Sequence, residues 1–285
     1  MLFAERLKLG FEILNRLDPR TKSKPGQPSA APVTQAVKQQ SSSSRTLPSL
    51  EVLLDEIGPL SSPSIVIGGC DDKAHLYLDL MDPVPGSLLI TGDAKSGKTR
   101  LLESILTSAC LINSPRHVRY AIIASQDGHV DDLAGQPHCY RVAAPDEENA
   151  AQLIMELADL AEQRFQHGKS SPAVVLAIDD LGTLLKGLDD EMVEGLRWLI
   201  LNGPQANLWT IATLRSEDAE TIEPDLLNDF GTRLIGSTAS PETANLLSGD
   251  PQAKIDELTK GQQFRVLFDD EWITFWIPRA EEVLA

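Results

Sequence analysis

The sequence is poor in cysteine and has no long apolar run. Its three cysteines, Cys70, Cys110 and Cys139, are widely separated. They have neither the paired spacing of a disulfide framework nor that of a zinc site, so a reducing, cytoplasmic setting is the simplest expectation. The five histidines are scattered without ligand spacing. No stretch approaches the ~18 apolar residues that span a bilayer, which excludes a transmembrane segment. The opening residues, MLFAERLKLGF, carry Glu5, Arg6 and Lys8 and lack the features of a secretory signal. No Ser/His/Asp or Cys/His nucleophile set is evident.

The 42% apolar and 24% charged fractions are those of a soluble globular protein of 285 residues. The net charge of −17 is unevenly spread. Residues 1–45 hold eight Lys/Arg against three Asp/Glu, a net of +5, while residues 46–285 hold 17 against 39, a net of −22. So acidic a body argues against nonspecific phosphate-backbone binding over its whole surface.

Three regions follow from the pattern. Residues 1–18 read as an amphipathic helix, with Phe3, Leu7, Phe11, Leu14 and Leu17 at spacings of three and four. It is expected either to dock on a protein partner, another subunit or a membrane surface, or to fold back on the body. Residues 19–46, rich in Pro, Ser, Gln and Lys, bury too little apolar surface to offset chain entropy and are expected to be a disordered tether. Residues 47–285 form the globular part. Ser49 is placed to cap a short helix, and 64–69 and 75–80 read as a β-hairpin. Strands at 87–91, 118–124, 138–144, 173–178, 207–213 and 232–236 then alternate with helices at 98–112, 146–166 and 191–201. A second hairpin, FRVLF–DDE–WITFW, closes the chain. Short, nearly all-apolar strands between helices predict an α/β fold, a mostly parallel sheet covered on both faces.

After the strand SLLIT comes Gly92-Asp93-Ala94-Lys95-Ser96-Gly97-Lys98-Thr99, the GxxxxGK[ST] phosphate-binding loop, running into Arg100 at the start of a helix. Glycines let the backbone turn successive N–H groups towards phosphates, and the helix adds its positive end. Lys98 is expected on the β- and γ-phosphates of ATP and Thr99 on Mg²⁺. Such a loop requires an acidic strand end to complete the metal site, and AVVLAI followed by Asp179 supplies it. Asp180 then stands either as the group that polarises the attacking water or as the cap of the next helix. The strand NLWTIAT ends on Thr213, a candidate sensor of the γ-phosphate. Arg215 is expected on nucleotide, on a neighbouring subunit or in a surface ion pair. Arg233, at the start of a strand, is either an arginine acting on the neighbouring subunit's nucleotide or part of a structural ion pair.

Four stretches in order resemble the FtsK/SpoIIIE–HerA group of motor ATPases over roughly residues 64–278. They are IGGCDDKAHLYLDL, LLITGDAKSGKT, VVLAIDDLGTLL and IATLRSEDAETIEPDLLNDFGTRLIG, which continues into a Ser-rich segment. The resemblance implies a RecA-like core, a hexameric ring and ATP hydrolysis coupled to moving a polymer, double-stranded DNA in the main reading. The alternatives are an ATPase driving or regulating protein secretion or assembly, as the Asp-Asp after the third apolar strand suggests, and a nucleotide-binding scaffold with little turnover. It also places Asn228 and Arg233 towards the adjacent subunit. Leu214 stands where the family has glutamine, and Asp180 where its DNA translocases have glutamate. The expected molecule is a minimal, single-motor version.

Overall fold

The computed structural model describes residues 49–60, 62–70, 74–125, 131–146, 148–168, 171–268 and 270–279. The expected helix at 1–18 and tether at 19–46 lie outside the described residues. The chain runs α1 (Leu50–Ile57), β1 (Ser64–Cys70), β2 (His75–Asp79), β3 (Leu88–Gly92), α2 (Lys98–Ile112), β4 (Val118–Ile123), α3 (Asp131–Ala134) and β5 (Cys139–Ala143). It continues through α4 (Glu148–His167), β6 (Ala173–Ile178), α5 (Leu181–Gly187), α6 (Asp190–Asn202), β7 (Leu208–Arg215) and α7 (Pro224–Asp229). The last elements are β8 (Thr232–Gly236), α8 (Pro241–Ser248), β9 (Gln263–Phe268) and β10 (Glu271–Trp276).

Among the described residues ten strands form one sheet in the order β2-β1-β10-β9-β8-β3-β7-β6-β4-β5. The strands from β8 to β5 are parallel to their neighbours, whereas β2, β1, β10 and β9 form an antiparallel wing joined to β8. The two expected hairpins are thus one continuous extension of the parallel sheet. β3 and β6 are buried along their whole length, which is why both read as uninterrupted apolar runs rather than alternating ones.

Alternate strand residues face opposite helices. Leu101, Leu102, Ile105 and Leu106 of α2 join one core cluster with Leu88, Ile90, Tyr120, Val175, Trp209 and Ile211. On the other face Leu157 of α4 and Leu199 of α6 meet Val174, Leu176 and Leu208. Each such leucine or isoleucine, withdrawn fully from water, contributes roughly 1.5–3 kcal/mol. Local signals set the ends of the helices. Ser49 Oγ accepts from Val52 N, Asp189 from Met192 N and Ser240 from Thr243 N, and Gly249 closes α8 in the left-handed conformation.

Most expected elements appear within one or two residues of their sequence limits. The difference that matters is β7, which runs two residues past Thr213. Its partner β3 keeps the ladder going, pairing Thr91 with Leu214 and Gly92 with Arg215. Leu214 is fully buried, so the residue standing in place of the family glutamine belongs to the core.

Candidate functional site

Because β3, β6 and β7 are parallel neighbours, their C-terminal ends share one edge of the sheet, where such folds bind ligands. Register brings the three ends together. Ile178 pairs with Ala212 and Ile90 with Thr213, so Asp179, Thr213 and the loop after Gly92 are side by side.

The loop itself depends on positive backbone angles. Gly92 has φ 147°, Lys95 63° and Gly97 94°. A Cβ on Gly97 would lie 2.8 Å from Ile277 Cδ1 and 3.1 Å from the Gly261 carbonyl oxygen. The segments flanking the β9–β10 hairpin therefore back the phosphate loop. The sequence contains no motif for this contact.

Lys98 Nζ donates to the carbonyl oxygens of Gly92 (2.9 Å) and Asp93 (2.8 Å). Its pKa is pushed below the ordinary 10.5 chiefly by burial and then by the nearby Arg215 charge, against the opposing carboxylates of Asp179, Asp93 and Asp180. Thr99 Oγ1 donates to Asp179, 3.2 and 3.1 Å from its two oxygens. Thr213 Oγ1 donates to Asp179 Oδ1 at 2.7 Å and accepts from the Asp180 backbone N–H at 2.8 Å. Thr213 therefore aligns the acidic strand end. Thr99 and Asp179 suit Mg²⁺, which takes one or two protein oxygens and completes its shell with water and phosphate. Among the described residues there is no group of three His, Cys, Asp or Glu that would cage a metal by protein alone.

Asp180 fulfils the capping reading and keeps the catalytic one open. Its Oδ1 accepts from Thr183 N at 3.1 Å, heading α5, with the residue in the left-handed region at φ 71°. Its Oδ2 is 2.9 Å from an Arg215 guanidinium nitrogen, and Glu217 stands 3.8 Å from the same arginine. Two residues of the site escaped sequence reasoning in their true role. Asp93 accepts through Oδ1 from Ser216 Oγ and through Oδ2 from Ala239 N at 2.8 Å. Both of its oxygens are thus taken by segments beyond the loop. Ser96 is fully buried and its hydroxyl has no hydrogen-bond partner among the described residues. Gly92 must stay bare beside it, since a Cβ there would lie 2.7 Å from Ser96 Oγ. Ala94 belongs to the same loop and Arg100 to the first turn of α2.

Arg233 departs from the expectation of an arginine that reaches a neighbouring nucleotide. Its guanidinium donates to Leu247 O (3.0 Å), Leu227 O (2.9 Å) and Asn228 Oδ1 (2.7 Å) of its own chain. Nor is it in the expected ion pair, since all three acceptors are neutral. It joins the end of α7 to the end of α8, and Asn228 serves that joint. Burial lowers its pKa.

A family model described as FtsK/SpoIIIE family matches residues 70–177. The chain is 25% identical over 190 residues to the ESX-5 secretion system protein EccC5 of Mycobacterium marinum, covering 57% of this chain and 14% of that protein. It is 21% identical over 230 residues to the DNA translocase FtsK of Staphylococcus aureus, covering 72% of this chain and 29% of that one. It thus spans a minor part of either relative's length. Its fold matches the conjugation coupling protein TcpA of pCW3, solved as a monomer with ATPγS, with a TM-score of 0.64 at 17% identity over 83% of this chain and 70% of that one. This chain carries an FtsK/SpoIIIE-family ATPase domain, related both to EccC secretion ATPases and to FtsK.

Proposed function

We propose that the domain binds Mg²⁺–ATP, hydrolyses it to ADP and phosphate, and uses that cycle to drive or regulate the secretion or assembly of a protein substrate. The observation carrying the hydrolysis is Asp179, held between Thr99 and Thr213 beside Lys98. In this reading the backbone N–H groups of the 92–99 loop hold the phosphates, with Arg100 in the first turn behind them, and the Lys98 ammonium bridges the β- and γ-phosphates. Thr99 and Asp179 would hold Mg²⁺, which when bound would supply positive charge against the phosphate oxygens. Thr213 fixes Asp179 and senses the γ-phosphate. Asp180 orients the water that attacks the γ-phosphorus and accepts its proton as ADP leaves.

Two observations favour a protein substrate over DNA. Identity to EccC secretion proteins, 25% and 28%, runs slightly above that to FtsK translocases, 21% and 27%. The body's net charge of −22 also opposes the counterion-release term on which duplex binding depends. A homo-oligomeric ring, hexameric by analogy with the family, and a partner contact through residues 1–18 complete the reading. The second reading, a DNA translocase, is supported by the FtsK relative. The two are separated by assaying ATP hydrolysis on size-fractionated protein with and without duplex DNA at low salt. Turnover indifferent to DNA, with capture of a protein partner that requires residues 1–45, supports the secretion reading. Salt-sensitive stimulation by duplex DNA would replace it with the translocase reading.

A further inference from the structure

We propose that Arg215 is a nucleotide-state latch: it ties up Asp180 when no γ-phosphate is present and transfers to the γ-phosphate when ATP binds, releasing Asp180 to orient water. This rests on the hydrolytic reading above and adds a positioning residue to it.

Three observations carry the inference. The first is placement. Arg215 is the last residue of β7 and pairs in register with Gly92, the first residue of the phosphate loop. Its charge is felt at Lys98, where it is the second largest influence on the ammonium. The guanidinium therefore belongs to the same electrostatic neighbourhood as the phosphate-binding lysine.

The second is the state of Asp180. One carboxylate oxygen caps α5 through Thr183 N, and the other is paired with Arg215 at 2.9 Å. The backbone is also fixed, by the bond from Asp180 N to Thr213 Oγ1. One partner on each oxygen occupies about half of the carboxylate's acceptor sites, and the Arg215 charge opposes the proton transfer that orienting and deprotonating a water requires. The cap holds only one oxygen, so releasing Arg215 frees the other without disturbing the helix.

The third is the strength of the pair. The Arg215 side chain is 53% exposed, and an ion pair so open to water contributes at most about 1 kcal/mol. A phosphate carrying two negative charges competes well for a guanidinium, which binds such groups bidentately. ADP lacks the γ-phosphate and leaves the pair intact. The latch thus distinguishes the two nucleotides.

The test is a binding titration of the full chain with a non-hydrolysable ATP analogue and with ADP, in wild type, Arg215→Gln, Arg215→Lys and Lys98→Ala. Exposure of Arg215 makes its substitution compatible with folding. The Gln variant is expected to weaken the analogue roughly tenfold, as for the loss of one charge-assisted hydrogen bond, and to leave ADP within a factor of two or so. The Lys variant is expected to restore part of the difference. Equal effects on both nucleotides, or no effect on either, would overturn the latch. Lys98→Ala reports on the underlying site: unchanged binding of both nucleotides there would overturn the phosphate-loop reading and, with it, the latch. Single-turnover hydrolysis gives a second measure. Arg215→Gln leaves Asp180 free in every state and removes only the γ-phosphate contact, so the hydrolysis rate at saturating ATP is expected to fall. A wild-type rate in that variant would show that Arg215 does not transfer to the γ-phosphate and would overturn the latch.

Discussion

Ser216 Oγ donates a hydrogen bond to Asp93 Oδ1, joining the chain just past β7 to the second residue of the phosphate loop. The other Asp93 oxygen accepts from Ala239 N, just past β8. Since β7 and β8 flank β3 on either side, one carboxylate anchors the loop to both neighbours.

Asp93→Ala is therefore expected to weaken nucleotide binding about tenfold, by freeing the loop and leaving the Ala239 N–H unpaired. Asp93→Asn keeps one acceptor and should lose less. KM for ATP is expected to rise more than kcat falls. An Asp93→Ala protein with wild-type KM would show that the anchor plays no part in shaping the loop.

Thr213→Val keeps the volume of the side chain and removes only its hydroxyl. The Asp180 N–H then loses its acceptor and Asp179 one of its two hydroxyl donors. An unsatisfied group of this kind costs about 1–3 kcal/mol. The expected outcome is a lower melting temperature together with a kcat reduced by one to two orders of magnitude, since the metal-binding carboxylate is no longer aligned. Thr213→Ser should recover most of both. Full activity in the valine variant would remove Thr213 from the site.

Arg233→Ala is expected to act on stability. It strips donors from Leu247 O, Leu227 O and Asn228 Oδ1, at a cost of about 2–4 kcal/mol by comparison with other buried hydrogen-bonded charges. Turnover per folded molecule should stay near wild type below the melting transition. Mixing Arg233→Ala with Lys98→Ala subunits provides the decisive comparison. Recovery of activity in the mixture beyond that of either parent would restore the arginine to a role across a subunit boundary.

The difference between Arg233's expected and observed roles shows which information the sequence carries. That the phosphate loop, Asp179 and Thr213 lie together at strand ends was legible because the expected chemistry requires particular residue types there, and buried parallel strands announce themselves as apolar runs. The sheet order around β3 places those ends together once the strands are known. The joint that Arg233 makes within its own chain was not legible because two of its three acceptors are backbone carbonyls, which every residue possesses. Arg164 behaves likewise, donating to the carbonyls of Ala206, Asn207 and Pro172. The Asp93–Ser216 bond links positions 123 residues apart and depends on the pairing of Gly92 with Arg215, a register no local pattern specifies. Ile277 behind Gly97 was hidden for the same reason, since only the fold of the terminal hairpin delivers it there.

The depressed pKa of Lys98 gives a proton-linked prediction whose sign follows from its cause. Burial and the Arg215 charge disfavour the ammonium in the fold, so its pKa lies below the ordinary 10.5. Between that lowered value and 10.5 the unfolded chain binds more protons than the folded one, and stability from this group rises with pH across the window. Below the lowered value Lys98 is charged in both states and the desolvation penalty is felt in full. Nucleotide phosphates reverse the balance by favouring the ammonium, which raises the pKa again. ATP binding at a pH within the window is therefore expected to take up a proton at Lys98. Calorimetric titrations in two buffers of different ionisation enthalpy should differ in apparent heat by a fraction of one proton. Lys98→Arg, which stays charged throughout, should remove that share of the difference. Identical heats in both buffers for the wild-type chain would mean that Lys98 does not change protonation when the phosphates arrive.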